Sequence, residues 1–217
     1  MRPALANVEA YDRWAERYPP LPHNALMQAE QQAMLDLWPE VDGLCALDLG
    51  CGTGRYARLL QARGAACVIA MDLSPGMLQH AQTVKRVRAD MMQLPFADGA
   101  FDVIVSGLAV GHAPSLEGWM AEAARVLAPG GRLLLSDFHP DAARAGMRRS
   151  FTDAAGQRHD LLHGLYDEAA HRAAAAAAGL QVQALREARV GVDLVAPGNE
   201  PHWQGLAVVL ALRLCKT

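Results

Sequence analysis

The tightest constraint on this chain is the octet Leu47-Asp48-Leu49-Gly50-Cys51-Gly52-Thr53-Gly54. An apolar run over residues 44–49 ends at three alternating glycines, and residues 55–60 then carry apolar side chains at helical spacing. The pattern predicts a strand, a tight turn and a helix. Glycines let a backbone approach a ligand that a Cβ would push away. The helix start behind them presents unpaired N–H groups to something polar or anionic. Dinucleotide sites carry G-x-G-x-x-G, whereas here the third glycine falls one residue early. The turn alone does not choose a ligand, and the segments after it narrow the choice.

Residues 68–71 read as a second buried strand with Asp72 at its end. In a parallel α/β sheet this sets a carboxylate at the C-terminal edge, beside the glycine turn. An acid about 20 residues past such glycines accepts hydrogen bonds from a ribose diol. Asp90 ends another short extended stretch and is placed to accept from an adenine amino group. Residues 101–106 predict a fourth strand, 126–131 a helix stop and turn, and 132–137 a fifth strand. A helix over 166–178 stops at Gly179, and 181–190 and 206–214 read as the last two strands. Upstream, 7–18 and 23–37 read as helices, with Asn24 a candidate cap of the second.

The segments LDLGCGTG, MDLSPGML, ADMMQLPF, FDVIVS and RVLAPGGRLLLSD follow one another over residues 44–137. In that order and spacing they resemble the class I S-adenosylmethionine-dependent methyltransferases, in their small-molecule, type 11 branch. The resemblance implies an α/β fold: a Rossmann-like seven-stranded, mostly parallel sheet with an antiparallel last strand, helices on both faces and an N-terminal helical cap. It implies S-adenosylmethionine as cofactor. The cofactor site it implies comprises Asp48, Gly50, Cys51, Gly52, Thr53, Gly54, Asp72, Leu73, Met77, Asp90, Met91, Met92 and Ser106. Tyr11 and Trp14, within YDRWAERY at 11–18, look like part of the segment that covers the cofactor.

Methyl transfer from a sulfonium is an in-line displacement, so the protein mainly positions a nucleophile. A general base is needed only for a protonated acceptor. His112 lies just past the fourth strand and His139 just past the fifth, at the sheet edge where ligands bind. Each is a candidate base, or else a residue that caps a loop or lines the pocket. Residues 139–165 interrupt the strand–helix alternation and read as a substrate flap. Arg148 and Arg149 in it are either an anion clamp or solvated charges. Trp14, Trp119 and Trp203 either line a pocket for an apolar substrate or pack in the core.

At 217 residues the chain fits one domain, 1–217, with a cap at 1–40 and the flap at 139–165. A net charge of −3 gives no broad attraction for nucleic acid or an anionic membrane. No stretch is apolar for long enough to span a bilayer, and residues 1–14 lack the pattern of a signal peptide. Cys45, Cys51, Cys67 and Cys215 have no C-x-x-C spacing, which points to reduced thiols in a cytoplasmic enzyme without a metal. The expected function is methyl transfer to an O, N or C atom of a small molecule, with Arg148 and Arg149 as the candidate clamp for an anionic one. A nicotinamide-dependent oxidoreductase is the alternative, opposed by the G-x-G-x-G spacing, Asp90 and the Pro-Gly-Gly turn. A non-catalytic cofactor-binding module is the other.

Overall fold

The computed structural model describes residues 7–82, 85–191 and 203–217. The run before the glycines forms β1 (Cys45–Leu49), and β2 (Cys67–Asp72), β3 (Arg86–Arg88), β4 (Phe101–Gly107) and β5 (Leu127–Phe138) follow. A hairpin of β6 (Ser150–Thr152) and β7 (Arg158–Asp160) stands apart, and β8 (Leu180–Arg189) and β9 (Ala207–Lys216) return to the main sheet. The main sheet runs β3-β2-β1-β4-β5-β9-β8. β1 to β5 pair in parallel, and β9 is antiparallel to both its neighbours. The order reverses between β1 and β4. Ligands of open α/β sheets bind outside the carboxyl ends at such a switch point.

Both faces of the sheet are covered, which is why its central strands read as near-continuous apolar runs. Leu47, Leu49, Met71, Ile104 and Leu135 pack on one face with residues of α5 (Leu116–Val126) and α7 (Glu168–Ala177). Ala46, Val68, Ala70, Val103, Val105 and Leu134 pack on the other, against α2 (Ala25–Asp36) and α3 (Arg55–Ala62). The Asn24 side chain caps α2 by accepting from Met27 N–H at 2.9 Å. Trp119 lies fully buried in the first core, and Trp203 packs against the cluster around Phe138.

Three predicted segments differ in form. The turn expected over 126–131 is taken into β5, where Leu127 pairs with Phe101 ahead of a register shift. The helix expected over 7–18 is α1 (Asn7–Trp14), then a 3-10 turn (Ala15–Arg17) that ends at extended Tyr18 before Pro19. A residue before proline is driven out of the helical region. The interruption after β5 is built of regular structure: α6 (Pro140–Arg144) and the β6–β7 hairpin. This hairpin docks on the N-terminal cap. Phe151 and Leu161 bury Ala10, with Tyr11 and Trp14 packed around them, and the Trp14 and Phe151 rings stack at 5.1 Å. Cap and flap thus form one cover over the C-terminal edge of the sheet.

Candidate active site

β1 delivers the chain into the glycine turn, and the backbone there is left-handed at Gly50, Gly52 and Gly54. At Gly50 a Cβ would lie 2.5 Å from Ala109 Cβ, so close packing excludes a side chain. At Gly52 a Cβ would meet no protein atom within 4 Å. Its φ of +53° selects glycine, and any side chain added there would take volume from the cavity in front of the turn. That cavity measures about 310 Å³ and lies between the turn, the end of β2, the loop after β4, the cap and the flap.

Asp72 closes the cavity on one side. Its Oδ2 accepts from Gly52 N–H at 2.8 Å and its Oδ1 from Ser74 N–H at 2.9 Å. Burial raises its pKa, and these backbone donors pull it back down. A carboxylate has about four acceptor positions, so Asp72 keeps lone pairs for a diol. With Gly50, Cys51, Gly52, Thr53, Leu73, Asp90 and Met91 it lines the cavity. Tyr11 and Trp14 line it from the cap. An acid, a turn whose glycines leave the backbone open, and an apolar wall at Leu73 and Met91 fit the ribose, amino-acid and adenine parts of S-adenosylmethionine.

Five residues expected at the cofactor stand behind the cavity wall. Buried Asp48 accepts from Ala57 N–H at 2.7 Å and so fixes the start of α3; burial pushes its pKa up to about 7. Gly54 is the N-cap of α3, and Met77 is wholly buried in α4 (Pro75–His80). Met92 packs on the core beside Asp90, and the buried Ser106 hydroxyl ties β4 to β1 by donating to Leu49 O at 2.8 Å. All five support the wall without forming it.

The two histidines separate. His139 does not line the cavity. Its Nδ1 accepts from Asp141 N–H at 3.1 Å as the N-cap of α6, and its Nε2 lies 3.4 Å from Glu187. This corrects the expectation of a base at this position: Pro140 starts a helix directly after β5 and turns the imidazole into its cap. His112 does line the cavity, in a 3-10 turn (Val110–His112). Its Nδ1 stands 2.7 Å from Leu162 O, a carbonyl that can only accept, so Nδ1 carries the proton. Nε2 then accepts from Tyr11 O–H at 2.8 Å and from Arg149 Nη1 at 3.1 Å. Burial and the Arg149 charge push the His112 pKa down to about 3.

Arg149 completes this network by donating to Tyr11 Oη at 3.2 Å and to Leu108 O at 3.0 Å. No carboxylate among the described residues makes a salt-bridge contact with it, although buried Asp137 feels its charge, and it lines the cavity with Arg148. Leu108 has a φ of +53°, the one non-glycine among the described residues with positive φ. Such strain persists where the surroundings hold it. Here Ser136 accepts its N–H and Arg149 holds its carbonyl. Beneath, wholly buried Glu30 accepts from Tyr56 O–H and Ser136 O–H, each at 2.7 Å, and pairs with Arg55. Tyr18, the last residue of the 11–18 segment, also lines the cavity, as do Asn7, Arg55, Leu108 and Leu161, which no sequence motif marks.

A reversed-order parallel sheet with a glycine turn and an acid at its switch point is the class I S-adenosylmethionine-dependent methyltransferase fold. Residues 47–135 match the family described as "Methyltransferase domain", type 11, and the chain carries a domain of that kind. The nicotinamide alternative is thereby set aside. A malonyl-[acyl-carrier protein] O-methyltransferase of Dechloromonas aromatica is 41% identical over 125 residues, 57% of this chain and 47% of the relative. A demethylmenaquinone methyltransferase of Tropheryma whipplei is 42% identical over 101 residues, 43% of this chain and 42% of the relative. The chain spans less than half the length of these relatives. An S-adenosylmethionine-dependent methyltransferase from Mesorhizobium loti shares the fold at a TM-score of 0.70 and 23% identity, covering 87% of this chain and 98% of that one. No helix among the described residues is long and apolar enough to cross a membrane.

Proposed function

We propose that the protein is an S-adenosylmethionine-dependent methyltransferase whose small-molecule acceptor carries a carboxylate or similar anion. The observation that supports this most is Arg149: a half-buried guanidinium in the cavity with no carboxylate partner among the described residues. A half-buried guanidinium whose close partners are a carbonyl, a phenol and an imidazole keeps N–H donors for an anion, which it can bind in bidentate form. The Dechloromonas relative is named for O-methylation of a malonyl group, which bears such an anion.

When bound, S-adenosylmethionine supplies a methyl group on a sulfonium that is already a good leaving group. Asp72 and the glycine turn hold the donor. Arg149, fixed by His112, Tyr11 and Leu108 O, orients the acceptor, and Arg148 adds charge at the same wall. Cap and flap exclude water. An anionic oxygen needs no proton removed. That agrees with His112, whose pKa of about 3 suits an anchor for Tyr11 and Arg149 better than a base near neutral pH.

The test is transfer of labelled methyl from S-adenosylmethionine to a panel of carboxylates, acyl thioesters with a terminal carboxylate, phenols and amines. Arg149→Met should raise KM for the anionic acceptor with the donor's KM unchanged. Transfer confined to uncharged acceptors, or an Arg149→Met enzyme with unaltered kinetics, refutes the anionic assignment.

A further inference from the structure

β1 and β2 both begin on a cysteine, and the parallel register sets Cys45 directly opposite Cys67, continuing as Leu47↔Ile69 and Leu49↔Met71. Side chains two apart along a strand leave the same face. Both sulfurs therefore share the face of Leu47 and Ile69, and each thiol feels the other's charge. Paired strands lie roughly 4.8 Å apart, within the roughly 4.4–6.8 Å between Cα atoms that a disulfide spans. Both residues are half-buried, so a small oxidant can reach them.

The pair is asymmetric. Lys85 Nζ donates to Cys67 Sγ at 3.4 Å. Cys45 has its thiol pKa raised by burial first and then by the neighbouring Cys67. Neither residue touches the cavity. The length of β1, roughly 16 Å at 3.3 Å per residue, separates Cys45 from the glycine turn. The other thiols are elsewhere. Cys51 is buried in the turn, and Cys215 lies on β9, opposite Arg132 of β5.

We propose that Cys45 and Cys67 are a peroxide-oxidisable dithiol that closes to an intramolecular disulfide. Cys67 sulfur attacks one oxygen of hydrogen peroxide and the O–O bond breaks. The departing oxygen takes the thiol proton and leaves as water, and Cys67 becomes a sulfenic acid. The Lys85 ammonium stands beside this sulfur to balance the charge that builds on the leaving oxygen. Cys45 sulfur then attacks Cys67 sulfur, the S–O bond breaks, and the hydroxyl leaves with the Cys45 proton as a second water. In sum, two thiols are oxidised to a disulfide and one peroxide is reduced to two waters. Strained or exposed bridges are the easily reduced ones, and this one would form between two half-buried residues at the starts of their strands. The modification is thus reversible by a dithiol.

The experiment uses the full chain. After brief treatment with a small excess of hydrogen peroxide and blocking of free thiols, the protein is digested without reduction and its peptides are weighed. The expected product links the Cys45 and Cys67 peptides, with two hydrogens lost from the intact mass and regained with dithiothreitol. Cys45→Ser, or Cys45→Ala should the first not fold, leaves Cys67 as a sulfenic acid that dimedone traps, while the wild type is not trapped. Lys85→Met slows oxidation several-fold without changing the product. The proposal is overturned if Cys45 and Cys67 remain alkylatable once methionines have oxidised. A bridge to Cys51 or Cys215, or a Cys45 variant without dimedone adduct, overturns it equally. None of these readouts depends on methyl transfer.

Discussion

The cover over the cavity is held by a latch that can be cut with one substitution. Asp12, on α1, accepts through Oδ1 from the Ser74 hydroxyl and from Gly76 N–H at 2.9 Å. Ser74 N–H in turn binds Asp72, so the latch and the ribose-binding acid share one turn. A hydrogen bond to a charged group contributes about 1.5–3 kcal/mol. Because Asp12 is only half-buried, we take about 2 kcal/mol for the whole latch, equivalent to about 30-fold in the closed-to-open ratio of the cap. Apparent affinity falls only as far as the closed fraction falls. Asp12→Ala should therefore weaken binding of the demethylated product, S-adenosylhomocysteine, by at most that factor. One effect works the other way: the Asp12 charge helps raise the Asp72 pKa, and removing it favours the Asp72 carboxylate. Amide exchange over residues 7–18 has no such offset and should speed up by as much as the latch contributes. Calorimetry and exchange read the two quantities separately. An Asp12→Ala protein that exchanges this segment at the wild-type rate refutes the latch, and a Ser74→Ala protein should reproduce most of the effect.

Asp137, buried behind the His112 turn, lies 3.5 Å from the buried His171, and burial pushes its pKa up to about 7. A carboxyl with its pKa raised on folding binds its proton more tightly in the native state. Its contribution is thus fully present below the unfolded value of about 3.9, lost as pH rises towards 7 and flat above it. Asp137→Asn should raise the Tm at about pH 8 and have much less effect at about pH 4; equal shifts at both contradict the burial assignment. His139→Ala should cost about 1 kcal/mol of stability as a lost cap, with kcat and KM unchanged; a fall in kcat alone would return His139 to the chemistry. Asp72→Ala should lower S-adenosylhomocysteine affinity by more than tenfold, from ~1.5–3 kcal/mol per charged hydrogen bond, and calorimetry that shows wild-type affinity removes it from the site. Gly52→Val should abolish that binding while the protein stays folded by circular dichroism, and normal binding would make the turn purely structural.

What the sequence made legible was local. The strand–turn–helix of residues 44–60, Asp72 at the end of β2 and the last two strands follow from periods and glycines within a short window, and the structure places each there. The acceptor wall was not legible, because it is assembled across the chain: Tyr11 and Arg149 are 138 residues apart, Arg149 and His112 37. Glu30 carries no sign at all, since a lone acid on a helix reads as solvated until Tyr56, Ser136 and Arg55 converge on it. The histidines show where a local signal went unused. His112 and His139 look equivalent by position, each just past a strand. Yet His139 is followed by Pro140 and Asp141, and proline at the first helical position with an acid in the first turn marks a helix start. A side chain in the capping position is committed to the backbone N–H groups of its own helix. His112 is followed by no such start within two residues, and its ring stays turned to the cavity, where Tyr11 and Arg149 take its free nitrogen. In this chain, position past a strand end brought both histidines to the carboxyl edge of the sheet, and the helix start after His139 is what keeps that one out of the cavity.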